Sequence, residues 1–137
     1  MPYWIIKSEP SSYSWDRLVA DGRTHWDGVR NAQALSNLRA MKPGDQAFFY
    51  HSNEGKEIVG VVEVVKGFYP DPKDASGKLG MVDVKPLMAA AVKVGLPAMR
   101  AKAELANFSL LRQSRLSVCP VSTAEWTVLC AMAGVPA

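Results

Sequence analysis

The chain has 137 residues, of which 48% are hydrophobic and 21% charged, a composition typical of one globular domain and not of a disordered chain. Its 16 Lys and Arg against 13 Asp and Glu give a formal charge of +3, so a polyanionic partner is allowed but not required. The two cysteines and two histidines are too few for a disulfide framework or a structural zinc site. We therefore expect reduced thiols, a cytoplasmic setting, no metal and no cofactor.

The N-terminal segment predicts a strand followed by a short helix. Residues 3–6 are aromatic and β-branched, which favours a strand buried on both faces. Pro10 disfavours a helical conformation at the residue before it, so this strand should end in an extended segment. Ser12 or Ser14 can cap the helix, and Gly22 can end it. The apolar positions at helical spacing are Trp15, Leu18 and Val19.

The next segment predicts a turn and a second helix. Residues 25–28 have the composition of a turn that carries one large aromatic side chain, Trp26. Asn31 can cap the helix, and the Pro43-Gly44 pair would end it. The apolar positions of this helix are Leu35, Leu38 and Met41.

The middle of the chain predicts β-structure. Strands are expected over residues 46–50, 58–65 and 81–85, with a long polar loop over 69–77. The nearly continuous apolar run over 58–65 indicates a strand covered on both faces, as in a barrel. The longest apolar stretch, residues 86–99, is interrupted by a lysine, a glycine and a proline. It is shorter than the roughly 20 residues that a membrane span needs, so no membrane association is expected.

The C-terminal segment predicts a helix over residues 97–105, a last strand over 115–118 and a final helix. Ser122 and Glu125 have the spacing of a capping box for the final helix, and Gly134 can end it. Its apolar positions are Trp126, Leu129, Cys130 and Ala133. Together the elements predict one α+β domain over residues 1–137, built on a mixed, curled sheet with helices packed around it.

Three polar-aromatic segments lie where predicted core elements meet solvent. They are Lys7-Ser8-Glu9-Pro10, Trp26-Asp27-Gly28-Val29-Arg30-Asn31 and Phe48-Phe49-Tyr50-His51-Ser52. A planar heterocycle requires such a mixture, because one face stacks on an aromatic ring while the edge takes hydrogen bonds. Taken singly, each residue also has a structural explanation: Trp26 as a core aromatic, Asn31 as a helix cap and His51 as a satisfied core histidine.

Motifs of metal sites and of catalysis are absent from the sequence. His25 and His51 have no third metal ligand at useful spacing, and no glycine-rich phosphate loop is present. Ser8, His51 and Asp27 could form a triad on paper, but no nucleophile-elbow context supports it. We therefore expect no catalytic residue.

A series of segments along nearly the whole chain has a specific order and spacing. The segments are Tyr3-Trp4-Ile5-Ile6-Lys7-Ser8-Glu9-Pro10, residues 26–31, Asn37-Leu38-Arg39, Tyr50-His51-Ser52, Ile58-Val59-Gly60, Ser114-Arg115-Leu116-Ser117-Val118, Pro120-Val121 and Trp126. In this order they resemble the EVE domain family. The resemblance implies a PUA-like fold, a curled and mostly antiparallel β-barrel flanked by short helices. It also implies a non-catalytic module that takes one base of RNA or DNA, a modified base, into a pocket, and we expect a monomer.

Carried over residue by residue, the resemblance assigns the parts of this pocket. Trp26 and Val29 would contact the face of the base, while Lys7 and Ser8 would lie at the rim. Candidates for the base edge are Asn31, Asn37, His51 and Ser52. Candidates for phosphate contacts are Arg30, Arg39, Arg112 and Arg115.

The second predicted helix departs from the family pattern. After Asn31 that pattern has an aromatic residue and often an Arg-Asn pair, where this chain has Ala32, Leu35 and Ser36. The helix therefore offers less stacking surface and one cation fewer. One alternative follows, in which the pocket is vestigial and the domain is an interaction module.

A second alternative is a small amidohydrolase that acts on a modified nucleoside. In this alternative Lys7, in the Lys7-Ser8-Glu9 grouping, would act as the base for the Ser8 hydroxyl. Adjacent strand residues point to opposite faces, so the two side chains would converge only at a bulge.

Overall fold

A six-stranded mixed sheet organises residues 3–136, the part of the chain that the computed structural model describes. The strands are β1 (Tyr3–Ser8), β2 (Thr24–Trp26), β3 (Gln46–His51), β4 (Glu57–Pro70), β5 (Gly80–Gly95) and β6 (Val118–Val121). Their order across the sheet is β2-β5-β4-β3-β1-β6. β1 pairs with β3 in parallel, and the other described strand pairs are antiparallel. The α+β class predicted from the sequence is confirmed.

Five helices surround this sheet in the described residues. They are α1 (Trp15–Asp21), α2 (Ala32–Ala40), α3 (Leu96–Arg100), α4 (Ser109–Arg112) and α5 (Thr123–Ala133), with a 3-10 turn at Ala103–Leu105. The Ser14 hydroxyl accepts from the backbone N–H of Arg17 and caps α1, while Ser122 and Glu125 form the predicted capping box of α5. None of the helices in residues 3–136 is long and apolar enough to cross a membrane.

The core is centred on the parallel pair β1 and β3. Their register places Ile5 beside Phe48 and Ile6 beside Phe49, and all four side chains are buried. On one face, Trp126 of α5 stacks on Phe48 with ring centroids 4.1 Å apart. Because the central strands are covered on both faces, their apolar residues run continuously and do not alternate with polar ones.

The closed barrel that the family resemblance implies is not confirmed. β2 and β6 each pair on one side only, so the described sheet is open at both edges. β4 and β5 form a long hairpin whose register shifts at four points between Ile58 and Tyr69. Such bulges increase the local twist and curl the hairpin. Closing a barrel would in addition require the two edge strands to pair with each other.

Several element boundaries differ from the sequence predictions. β4 runs to Pro70 and β5 to Gly95, beyond the predicted 58–65 and 81–85, because the two strands pair with each other at both ends. The segment predicted as a turn at residues 25–28 begins as β2, because His25 and Trp26 pair with β5. The last strand is Val118–Val121 and not 115–118, and Pro120 is tolerated there because it is exposed on an edge strand. The helix predicted over 97–105 is divided into α3 and the 3-10 turn.

Candidate functional site

A cavity of about 420 Å³ opens where the end of β1, the segment before α1 and the β2–α2 connection meet. We call it the first cavity. It is lined by Lys7, Ser8, Glu9, Ser12, Tyr13, Thr24, His25, Trp26, Asp27, Gly28, Val29, Arg30 and Ser117. Its volume lies within the range of small-molecule binding pockets.

Two aromatic rings form walls of the first cavity. The rings of Tyr13 and Trp26 have centroids 6.3 Å apart and planes at 79°. Trp26 also packs edge-to-face on Phe49 at 5.5 Å, and only 9% of its surface is exposed. The Tyr13 hydroxyl donates to Asp21 at 2.7 Å. Both rings are therefore held in place, and a planar group stacked on one of them would meet the edge of the other.

The polar lining of the first cavity combines both signs of charge. Glu9 and Asp27 supply carboxylates, and Lys7 and Arg30 supply cations. Glu9, Asp27 and Arg30 are exposed, so they can turn toward a ligand. Carboxylate oxygens accept hydrogen bonds from exocyclic amines, whereas the cations donate to carbonyl or phosphate oxygens.

Lys7 joins β1 to the segment that precedes β6. Its Nζ atom donates to the carbonyl oxygen of Ser114 at 2.8 Å, and its backbone N–H donates to Ser117 at 3.0 Å. Burial lowers the pKa of the Lys7 ammonium from its ordinary value. The neighbouring Ser8 hydroxyl donates to the carbonyl of Tyr13 at 2.6 Å. Its proton is thus directed away from Lys7, and the relay that the amidohydrolase alternative requires is not formed in this arrangement.

The structure brings together five of the residues predicted from the sequence. Around the first cavity lie Lys7, Ser8, Trp26, Val29 and Arg30. The contact that each of them would make with a base or a phosphate remains a prediction.

Three other predicted residues lie in a neighbouring groove of about 440 Å³, which we call the arginine groove. It is lined by Asn31, Gln33, Arg112, Gln113, Ser114, Arg115 and Leu116. The Asn31 side chain accepts from the backbone N–H of Ala34 at 3.0 Å and so caps α2, as one sequence interpretation holds. Asn31 is therefore away from the lining of the first cavity.

The remaining predicted residues hold the fold together or lie elsewhere. Asn37 donates to the carbonyl of Val118 at 2.8 Å and ties α2 to β6. Nε2 of His51 accepts the backbone N–H of Trp15 at 3.1 Å at the start of α1. Arg39 lies over the ring of Phe68, at 5.2 Å from the ring centroid. Ser52 lines a separate cavity described below. None of these four side chains lines the first cavity in the described structure.

The stability of the domain is expected to decrease as the pH falls below about 6.5. Burial, and then the charge of Lys93, lowers the folded-state pKa of His51, while Glu57 and Asp16 oppose this more weakly. His51 therefore binds a proton more readily in the unfolded chain than in the folded one. The stability that its neutral imidazole contributes is complete above pH 6.5 and is lost as the pH falls toward the lowered pKa. Protonation at Nε2 would also remove the acceptor for the Trp15 N–H.

Urea unfolding at about pH 7.5 and 5.5 checks this expectation. The matched variant is His51→Gln, whose amide oxygen can accept the same hydrogen bond but does not titrate. Its stability should change less between the two pH values than that of the wild type. An equally steep loss in both proteins would show that His51 is not the responsible group.

Sequence reasoning missed several residues of the first cavity. Tyr13 is not among the residues that the sequence singles out. Glu9 and Asp27 belong to two of the polar-aromatic segments but are not among the predicted pocket residues. A signal for Tyr13 was present, because an aromatic residue within the polar Ser11-Ser12-Tyr13-Ser14 segment is unusual for a solvated loop. No metal-binding cluster of His, Cys, Asp or Glu occurs within residues 3–136.

The fold and the first cavity define a class of protein, an α+β domain with one open mixed sheet and a polar-aromatic pocket at the end of its first strand. The same fold occurs in the Pho92 YTH domain, solved in complex with m6A, which superposes with a TM-score of 0.59 at 13% identity over 99% of this chain and 85% of that one. The likeness concerns the fold alone. The chain belongs to the EVE domain family, since the family model for the EVE domain matches residues 2–132.

Similar proteins, two of them with solved structures, agree with this assignment. Rpa0253 from Rhodopseudomonas palustris superposes with a TM-score of 0.94 at 50% identity, over 98% of this chain and 94% of that one. Rat thymocyte nuclear protein 1 is 35% identical over 90% of this chain and 70% of its own length. The human THYN1 protein, solved in complex with DNA containing 5-methylcytosine, has a TM-score of 0.90 at 30% identity, and both chains are covered completely.

Proposed function

We propose that this domain binds RNA or DNA and reads one modified base in the first cavity without altering it chemically. The observation that carries the proposal is the pair of fixed rings of Tyr13 and Trp26, 79° apart, beside the Glu9 and Asp27 carboxylates. A base turned out of its stack would lie against one ring and meet the edge of the other. The relative solved with DNA containing 5-methylcytosine supports this choice of ligand.

The polar groups suit cytosine or adenine. Glu9 or Asp27 would accept from the exocyclic amine, and Lys7 would donate to an acceptor on the base edge. Val29 and Trp26 supply apolar surface for a methyl group. Stacking contributes about 1–3 kcal/mol per base, and an unpaired buried polar edge costs about 1–3 kcal/mol. One pocket can therefore distinguish bases while binding the polymer only moderately.

The backbone of the nucleic acid would follow the cations that surround the first cavity. Arg30 lies at its lining, and Arg112 and Arg115 line the arginine groove. The three guanidinium groups are exposed, as contacts to phosphates require. Because cation–phosphate contacts release counterions, we expect salt to reduce the affinity, and the net charge of only +3 indicates moderate binding.

A non-catalytic role is favoured by the hydrogen bonds of Lys7 and Ser8. Both side chains donate to backbone carbonyls, of Ser114 and Tyr13 respectively. A hydroxyl so engaged is not poised for attack, since no base accepts its proton.

Titration with short single-stranded DNA and RNA tests the proposal. Each oligonucleotide carries 5-methylcytosine, N6-methyladenine, cytosine or adenine at one central position, and binding is followed by fluorescence polarisation. We expect one modified base to bind tighter than its unmodified counterpart. Equal affinity for all the oligonucleotides would overturn the proposal.

Filling the first cavity from its rim is expected to abolish this preference. Ser12 is exposed and lines the cavity, so Ser12→Trp places an indole in the space of the base without disturbing the core. The affinity for the preferred oligonucleotide should fall by about tenfold or more, because the stacking contact is lost. The matched control is Ser11→Trp, at an exposed neighbour that does not line the cavity, and it should bind like the wild type.

A further inference from the structure

A second cavity, of about 320 Å³, lies beside the first one and shares Lys7 with it. Tyr50 and Leu110 form its buried part, with exposed fractions of 4% and 2%. Lys56 and Arg100 are exposed at its rim. The cavity therefore has an apolar floor and a cationic mouth.

The charges of the two cavities differ. Three cations line the second cavity, Lys7, Lys56 and Arg100, and its described lining contains no Asp or Glu. Neither Lys56 nor Arg100 is paired with a carboxylate within residues 3–136. The first cavity, in contrast, contains two carboxylates. The second cavity is thus suited to an anion, and the apolar floor can cover the carbon atoms attached to it.

The turn between β3 and β4 shapes the mouth of the second cavity. Asn53 and Lys56, which both line it, have φ angles of 64° and 51°. Residues other than glycine rarely adopt this left-handed conformation. The backbone N–H of Ser52 donates to the carbonyl of Ser8 at 2.9 Å, which fixes the start of the turn to β1. The turn therefore holds Lys56 at a defined place in the lining of the cavity that Lys7 also lines.

Lys7 connects the two cavities physically. Its Nζ atom is held by the Ser114 carbonyl and lies 5.9 Å from the centroid of the Tyr50 ring. Because Lys7 lines both cavities, a nucleic-acid strand whose base occupied the first cavity would have its adjoining backbone near the second. We propose that the second cavity binds the backbone phosphate next to the base that is read, through Lys56 and Arg100. This inference rests on the proposed function and extends it to a second subsite.

The test removes the charge on each side of this contact in turn. The preferred oligonucleotide is prepared with an uncharged methylphosphonate linkage on the 5′ side or on the 3′ side of the modified base. The protein variant is Lys56→Asn combined with Arg100→Gln, because asparagine tolerates a positive φ. For wild-type protein, one of the two neutral linkages should lower the affinity about three- to tenfold. For the variant, the same linkage should have no further effect.

The salt dependence provides a second readout. Loss of one phosphate contact should flatten the slope of log affinity against log salt by about 0.7 for a single strand. The modified-base preference should be unchanged, because phosphate contacts carry no sequence information. The matched control is Lys73→Asn combined with Lys78→Gln, which removes the same charge at the opposite end of the β4–β5 hairpin. This control should keep the full response to the neutral linkage.

The possible failures are distinguishable. If the neutral linkages weaken wild type and variant by the same factor while the modified base is still preferred, the second subsite is overturned and the proposed function stands. If the wild type shows no base preference, both are overturned. Circular dichroism melting of both double variants establishes that they are folded.

Discussion

Trp26→Ala is expected to lower the affinity for the preferred oligonucleotide by about one to two orders of magnitude. The indole forms one wall of the first cavity, and base-aromatic stacking contributes about 1–3 kcal/mol. The substitution also removes the edge-to-face partner of Tyr13 and of Phe49. Because only 9% of Trp26 is exposed, the free energy of unfolding should decrease as well, by about 3–5 kcal/mol.

The chain offers a matched control for this variant. Trp15 is 8% exposed and packs edge-to-face on the same Phe49 at 5.6 Å, but it does not line the first cavity. Trp15→Ala should therefore destabilise the domain to a similar extent and leave the affinity unchanged. Binding is measured at a temperature at which circular dichroism shows both variants to be folded. Equal losses of affinity would assign the effect to the fold and not to the cavity.

A milder substitution keeps the test informative if Trp26→Ala does not fold. Trp26→Leu fills more of the vacated volume, so it should be more stable than the alanine variant. It still lacks a ring, and we expect a comparable loss of affinity. Wild-type affinity in Trp26→Leu would contradict a stacking role for this residue.

Trp126→Ala is expected to have a large effect on stability, a decrease of about 3–5 kcal/mol in the free energy of unfolding. Its ring is 1% exposed and stacks on Phe48 at 4.1 Å and on Tyr3 at 4.4 Å, so it joins α5 to the two central strands. Such a loss is a large fraction of the roughly 5–15 kcal/mol by which domains are stable. Urea unfolding measures it.

Trp126→Phe should cost much less than the alanine variant. The indole Nε1 has no hydrogen-bond partner among the described residues. An unpaired buried N–H costs about 1–3 kcal/mol, and phenylalanine removes it while keeping a ring between Phe48 and Tyr3. The relief should offset part of the lost packing. If Trp126→Phe and Trp126→Ala have the same free energy of unfolding, the expected relief from removing an unpaired N–H is contradicted.

The strands show where sequence patterns lose their predictive value. The apolar run over residues 58–65 predicts part of β4 but not its extension to Pro70, because that extension depends on pairing with β5. Likewise β2 exists because Trp26 is paired with Val82, 56 positions away in the chain, whereas its own composition indicates a turn. Tertiary pairing overrides local propensity at both places.

The predicted base-edge residues show the same limit. His51 and Ser52 follow the buried residues of β3, and this placement suggested that their side chains reach the pocket of Trp26. The register of β3 against β4 shifts between Phe49 and Tyr50. The residue skipped by this shift is in β4, so the alternation along β3 is kept and His51 lies on the same face as Phe49, with ring centroids 5.7 Å apart. Sequence alone could not decide which distant group on that face His51 would contact. The structure directs it to the start of α1 instead.

The order of the chain's segments carried the resemblance to the EVE domain family. By itself, the sequence also determined the α+β class and the helix starts at Asn31 and Ser122, with Ser12 and Ser14 as alternatives for the start of α1. These features depend on composition or on hydrogen bonds that span three residues, as between Ser122 and Glu125. Only the tertiary structure decided which polar groups share a cavity. The contact between Lys7 and Ser114 joins residues 107 positions apart, and no local pattern encodes which distant side chains such contacts bring together.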